Sequence, residues 1–192
     1  EEQLYLLIVS QVGTTLAFST SQLAASGAMR VTRWPTMNIT GASTHNGNTL
    51  FSRSEQGVVK YEGYDDNGDS YKMRYYTHFL SFGDSTKLKI PKRMALTMLA
   101  GQVEQLKLFW AFDYEGLYQS AVIEIPVDAS AVYYNTAEYG VGQYTGGVTM
   151  IRKAEQAGGS GYVLQVGVEV DILGAQYSLQ EINIQTLIGR VV

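Results

Sequence analysis

The chain has 192 residues, and its 14 basic and 18 acidic side chains give a net charge of −4. It contains no cysteine, which excludes disulfides, thiolate zinc sites, iron–sulfur clusters and thiol catalysis. The acidic balance argues against nucleic-acid binding as the main activity. Charged residues make up only 17 % of the chain, which excludes a charged helical bundle or a coiled coil. We predict no membrane span, because no apolar run approaches the ~18–20 residues required.

The first 68 residues contain short, irregular strand-like runs separated by small and polar residues. The chain starts with Glu1 rather than methionine, so we expect a processed product or part of a longer polypeptide. Asn46-Gly47 and Asn67-Gly68 are dipeptides typical of type I′ hairpin turns, whose two central residues need positive φ. So short a segment cannot easily bury a core alone, and we expect it to lean on another domain or a partner.

From residue 69 onward, apolar and polar residues alternate over longer stretches. The clearest runs lie at 106–112 and 162–172, and shorter ones at 88–98, 121–125 and 182–188, with a break predicted at Pro91. A period of two residues indicates strands with one buried face. We therefore predict an all-β protein of antiparallel sheets. It has a β-sandwich-like domain at 69–192 and a smaller propeller-blade-like sheet at 1–68.

The blade prediction comes from a four-strand pattern that includes "TLFSRSEQGVVKYEGYDDNG", beginning at Thr49. This pattern resembles the last blade of phage tail propellers. The segments "YYTHFLSFGD" and "LKLFWAFDY", and the ending "GAQYSLQEINIQTLIGRVV", resemble the domain that follows the propeller in tail nozzle (tail tubular B-type) and tail hub proteins of short-tailed phages. A complete propeller needs 4–8 blades, and this chain has material for about one.

The resemblance implies a non-enzymatic structural protein of the virion. Such a subunit would form a homo-oligomer and contact other tail proteins, with DNA passing nearby and no specific nucleic-acid binding. A mildly acidic chain fits a DNA channel because it would not grip phosphates. We predict no catalytic residue, no metal ligand and no cofactor.

Two groups of residues are candidate interface positions. The tract 133–147 places Tyr133, Tyr134, Tyr139 and Tyr144 among glycines and small polar residues, a composition that suits a partner-binding loop. Four cations bracket Pro91, a pattern typical of an edge strand that resists uncontrolled pairing: Lys87, Lys89, Lys92 and Arg93. In an assembly, the same edge could receive an acidic neighbour.

The residues that suggest other chemistry have simpler interpretations. His45 is expected in a solvated turn, and His78 packed within a strand. Residues 65–69 begin like a calcium loop but lack its later glycine and glutamate, which favours an acidic hairpin.

Asp113 and Glu115 near Trp110 leave open a carbohydrate- or receptor-binding module. They also leave open a glycoside-cleaving enzyme, although a hairpin tip is the simpler interpretation.

Overall fold

A computed structural model of the chain describes residues 4–9, 14–23, 29–35, 37–54, 57–101, 105–125 and 149–189. Within these ranges the chain forms thirteen strands, all paired antiparallel, which confirms the all-β, sandwich-like prediction. In the described residues, no helix has the length and apolar character needed to cross a membrane. The chain divides into two units, Glu1–Glu62 and Gly63–Val192. The predicted domains 1–68 and 69–192 stay a prediction.

The described part of the first unit forms two three-stranded sheets, where the sequence pattern indicated one four-stranded blade. One sheet has the order β1 (Leu4–Val9), β2 (Thr14–Leu23), β3 (Met29–Trp34), and the other β4 (Ile39–His45), β5 (Asn48–Arg53), β6 (Gly57–Lys60). One extra strand, β4, pairs with β5 because Asn46 and Gly47, at φ 48° and 77°, close a hairpin between them as predicted.

Three aromatic side chains of the first unit contact one another, and one of them is buried. Phe51 is fully buried, and its ring lies 5.4 Å from that of Tyr61. Trp34, at the end of β3, stacks on Tyr61 at 5.7 Å and meets Phe51 edge-on at 6.3 Å. The rings of Trp34, Phe51 and Tyr61 therefore join the two small sheets.

In the described residues, the second unit pairs a four-stranded sheet with a three-stranded sheet. Its strands are β7 (Tyr71–Tyr76), β8 (Lys89–Ala100), β9 (Gln105–Phe112), β10 (Gln119–Glu124), β11 (Thr149–Gln156), β12 (Leu164–Ile172) and β13 (Tyr177–Ile188). The sheet orders are β10-β9-β12-β7 and β11-β8-β13. Alternate residues of β8, β9 and β12 form one buried apolar cluster, as the two-residue period predicts: Met94, Leu96, Met98, Leu106, Leu108, Trp110, Leu164, Val166, Val168 and Val170.

The interpretation of the Pro91 segment as an edge strand is wrong. Strand β8 runs unbroken through Pro91 and is the central strand of its sheet. Pro91 pairs with Thr186 and Arg93 with Gln185, so Lys92 is an extra residue that forms a β-bulge. A bulge admits proline into a central strand because the ladder is already interrupted there. A second irregularity, at Gln180 in β13, lies between the Leu179 and Glu181 pairs.

Leu108→Ala tests the shared core, because Leu108 is fully buried in the cluster that both sheets contribute. We expect the free energy of unfolding to fall by about 2–5 kcal/mol, from lost burial and the cavity left behind. Denaturant unfolding followed by Trp110 fluorescence in a Trp34→Phe background reports on this unit alone. Val122→Ala, at an exposed position of the same sheet, should change stability by less than about 0.5 kcal/mol. Equal losses in the two variants would contradict the shared core.

Candidate functional site

The outer face of the four-stranded sheet carries three aromatic rings in contact, which we call the aromatic platform: Tyr76, Phe109 and Tyr118. The ring of Tyr76 lies 6.3 Å from that of Phe109 and 5.6 Å from that of Tyr118. The rings of Phe109 and Tyr118 meet at 6.4 Å, nearly perpendicular. Edge-on and tilted arrangements of this kind are the favourable geometries for aromatic pairs.

Gly167 is the residue that allows the platform to form. Gly167 of β12 stands opposite Phe109 on one side and Tyr76 on the other. A Cβ atom at this position would lie 2.2 Å from a ring carbon of Tyr76, far inside van der Waals contact. The Tyr76 ring therefore occupies the space that a side chain at Gly167 would fill, and it covers the bare backbone of the strand.

Polar groups frame the platform. The Tyr76 hydroxyl donates to Glu169 Oε1 at 3.0 Å, and Arg74 Nε forms an ion pair with the same oxygen at 3.1 Å. On the other side, the Tyr118 hydroxyl bonds to Gln165 Oε1, and Gln165 Nε2 donates to the Thr77 carbonyl at 2.7 Å. The site thus combines flat apolar rings with hydrogen-bonding groups at fixed positions.

The environment of Tyr76 keeps its phenol protonated. Burial, followed by the hydrogen bond to the Glu169 carboxylate, raises the pKa of Tyr76 to about 12 from its ordinary value of 10.0. A raised pKa means that the folded state favours the protonated group. This contribution to stability is complete below pH 10 and is lost as the pH rises through 12. At neutral pH, Tyr76 is therefore a hydrogen-bond donor.

Three loops meet at one end of the second unit, and we call them the aromatic loops: residues 77–88, 113–118 and 157–163. Asp113 joins two of them, because its Oδ1 accepts from the backbone N–H groups of Tyr162 at 2.7 Å and Val163 at 3.1 Å. The rings of Phe79 and Tyr114 contact each other at 4.3 Å and join the first loop to the second. These contacts hold the loops in one arrangement.

The aromatic loops store backbone strain at exposed side chains. Asp113 and Tyr114 have φ of 50° and 61°, and Phe82 has φ of 51°. Bulky residues such as Tyr114 and Phe82 rarely adopt positive φ, and each costs on the order of 1–3 kcal/mol, whereas aspartate adopts it more readily. Tyr114 is 74 % exposed and Leu117 is 82 % exposed, so core burial does not account for their placement.

The predicted interface residues have different outcomes. Tyr133, Tyr134, Tyr139 and Tyr144 lie outside the described residues, so their interface role stays a prediction. Lys89 is 1 % exposed, and its ammonium donates to the Asp84 carbonyl of its own chain, so it is not available to a partner surface.

The other three cations of this group reach solvent. Lys87 forms an ion pair with Asp84 at 3.2 Å, and Lys92 and Arg93 are exposed. The interface role of Lys87, Lys92 and Arg93 stays a prediction.

The two histidines, the calcium-like loop at 65–69 and Asp113 were the candidates for catalysis or metal binding, and the structure places each of them. His45 is exposed beside its turn as predicted, whereas His78 is also exposed, so the packed placement predicted for it is wrong. Residues 65–69 form the predicted acidic hairpin, and no group of His, Asp or Glu in the described ranges could hold a metal ion. Asp113 is engaged with the backbone of another loop.

Sequence reasoning missed the aromatic platform because its members lie far apart in the chain. The available signal was the parity of Phe109, which alternates with the buried Leu108 and Trp110 and so had to face outward. Comparison of the sequence with protein-family models and with curated proteins gives no match. The function is therefore inferred from the residues and their geometry.

Gly167→Ala tests whether the platform depends on the bare backbone of β12. We expect the free energy of unfolding to fall by about 1–3 kcal/mol, because the new methyl group must displace the Tyr76 ring. The near-ultraviolet circular dichroism of the tyrosines should also weaken. Gly116→Ala is the matched control, since its added Cβ meets open space at a permitted φ. An unchanged spectrum in Gly167→Ala would contradict the arrangement.

Proposed function

We propose that this chain is a non-enzymatic structural component of a phage tail, of the nozzle or hub type, that works within a symmetric assembly. The observation that carries the proposal is the set of aromatic loops, which hold large apolar side chains toward solvent in a fixed conformation. The resemblance of the sequence to tail nozzle and hub proteins supports the same function.

Exposed apolar side chains on ordered loops favour contact with another protein. Tyr114 and Leu117 leave apolar surface in water, where burial would gain about 25 cal/mol per Å². Because Asp113 already fixes the loop, little conformational entropy remains to be lost when a partner binds. In this proposal, neighbouring subunits or other tail proteins cover the aromatic loops, and the sandwich acts as the rigid support.

The double variant Tyr114→Ser/Leu117→Ser tests the assembly role of the aromatic loops. Size-exclusion chromatography with light scattering gives the mass of the native particle. We expect the wild-type chain to form an oligomer and the variant to dissociate to smaller species, because the apolar contact area is removed.

The matched control is Tyr5→Ser/Leu7→Ser, which changes the same residue types at exposed positions of β1, in the first unit. This variant should assemble as the wild type does. A wild-type chain that stays monomeric, alone and with tail partners, would contradict the assembly proposal. If the loop variant still forms the wild-type oligomer, the aromatic loops are not part of the assembly contact.

A second candidate function is carbohydrate or receptor binding, and the aromatic platform favours it. Sugar rings present C–H groups on their faces, which pack against aromatic rings, and hydroxyl groups at their edges. Tyr76 and Tyr118 supply exposed ring surface, and Glu169, Arg74 and Gln165 supply hydrogen-bonding groups beside it. Convergent polar groups around an aromatic surface are typical of small-ligand sites.

A glycan array, followed by calorimetry with the best-bound glycan, tests this second function. We expect Tyr118→Ala to weaken binding by about tenfold or more, through lost aromatic contact. Tyr75→Ala is the control, because Tyr75 is an exposed neighbour on β7 whose parity places it on the opposite face from Tyr76. No binding on the array, or equal losses in the two variants, would exclude the platform as a glycan site.

A further inference from the structure

The outer face of the three-stranded sheet contains a groove with positive charge around it, which we call the basic groove. Ala95 of β8 and Ala154 of β11 are directly paired, and two methyl groups at this point leave a depression in the sheet. The resulting cavity is about 350 Å³, and it is lined by Arg93, Ala95, Arg152, Lys153, Ala154 and Gln185. Arg93 and Arg152 lie on either side of the alanine pair along the strands.

The cations of the basic groove are not neutralised by the part of the chain that the structure describes. In those residues no ion pair or hydrogen bond engages the side chains of Arg93, Arg152 or Lys153. The nearest carboxylate in the register of this face is Glu181 of β13, which accepts from Thr97 Oγ1 at 3.4 Å. Arg93 and Arg152 therefore flank one cavity in a chain whose net charge is −4.

The same chain carries a rigid group of opposite charge, the acidic hairpin of residues 65–69. Asp66 and Asp69 exchange backbone hydrogen bonds of 2.8 and 3.1 Å, and Asn67 and Gly68 form the turn at φ 58° and 91°. Asp65 Oδ1 accepts from the Gly68 N–H at 2.9 Å, which fixes the tip further. Asp65 and Asp69 are both exposed.

We propose that the basic groove of one copy of this chain binds the acidic hairpin of a second copy. The inference rests on the proposed assembly function and names the contact that would join two subunits. The groove supplies guanidinium groups that bind carboxylates through paired hydrogen bonds, and the hairpin supplies carboxylates on a narrow, pre-formed tip. Opposite charges in ordered positions give such a contact both attraction and a defined register.

The placement of the two features favours a contact between copies over one within a chain. The hairpin lies beside the turn between β12 and β13, where the Gly174 N–H donates to the Tyr64 carbonyl at 2.9 Å. The groove is centred on Ala95, midway along β8 on the outer face of its sheet, whereas the hairpin lies at the end of the sandwich. A groove and a hairpin on different parts of one surface make a head-to-tail contact, which generates a ring or a filament.

A charge-reversal cycle tests the pairing. The groove variant is Arg93→Glu/Arg152→Glu, and the hairpin variant is Asp65→Lys/Asp69→Lys. We expect each variant alone to associate at least about tenfold more weakly than the wild type in sedimentation velocity at low salt. An equimolar mixture of the two should regain association, because every groove then faces a hairpin of opposite charge.

Lys60→Glu/Lys107→Glu is the matched control for the groove variant. It changes the net charge by the same amount as Arg93→Glu/Arg152→Glu, at positions that do not line the groove. It should associate as the wild type does. Oligomers that persist unchanged in both reversal variants, or a mixture that does not regain association, would overturn the pairing and leave the assembly proposal standing. A wild-type chain that is monomeric at high concentration would overturn the pairing, and one that also fails to associate with tail partners would overturn both proposals. If the chain is a monomer whose groove binds heparin, the ligand of the groove is an anionic polysaccharide rather than a second copy, and the pairing is overturned.

Discussion

From Met94 of β8, Leu106 of β9 and Leu164 of β12 onward, alternate side chains are apolar and packed in one core, and the arrangement of the second unit depends on this alternation. Both sheets contribute to a single buried cluster with no exposed member. It includes Leu96 and Met98 from one sheet and Leu108 and Val166 from the other. Because successive residues of a strand face opposite ways, a slip of one residue in any of these strands would place its apolar set in water. The core therefore fixes register as well as stability.

The same alternation leaves the outer faces free to differ. On the four-stranded sheet the outward positions hold the aromatic platform. Gly167 has no side chain, and this leaves room for the Tyr76 ring to lie across the strand. On the three-stranded sheet the outward positions hold arginines around a pair of alanines. One sandwich thus presents an aromatic surface and a cationic surface, each built on a rigid sheet whose other face is buried.

The fold class was readable from the sequence because it depends on local patterns. The alternation at 164–172 and the Asn46-Gly47 turn each specify their structure within a few residues. Other features depend on neighbours distant in the chain. Pro91 looked like a strand end, yet the bulge at Lys92 admits it into a central strand, and this becomes visible only once β13 is paired.

The candidate site was less predictable for the same reason. The platform joins residues from three segments of the chain, and its geometry depends on the absence of a side chain at Gly167. The positive φ of Tyr114 carries no sequence signal, since turns of that kind favour glycine at the second central position. Asp113 overcomes this preference through its bonds to a loop that begins more than forty residues later.

The two bulges between β8 and β13 have a consequence for how this chain can change length. Gln180 adds one residue to β13 and Lys92 adds one to β8, so the offset introduced at the first bulge is cancelled at the second. Pairs at both ends of the ladder, Tyr177 with Ala100 and Ile188 with Lys89, share the same register. Loss of Gln180 alone would leave the bulge at Lys92 without its counterpart. Single-residue deletions at these two positions, far apart in the sequence, would therefore be tolerated together more readily than singly.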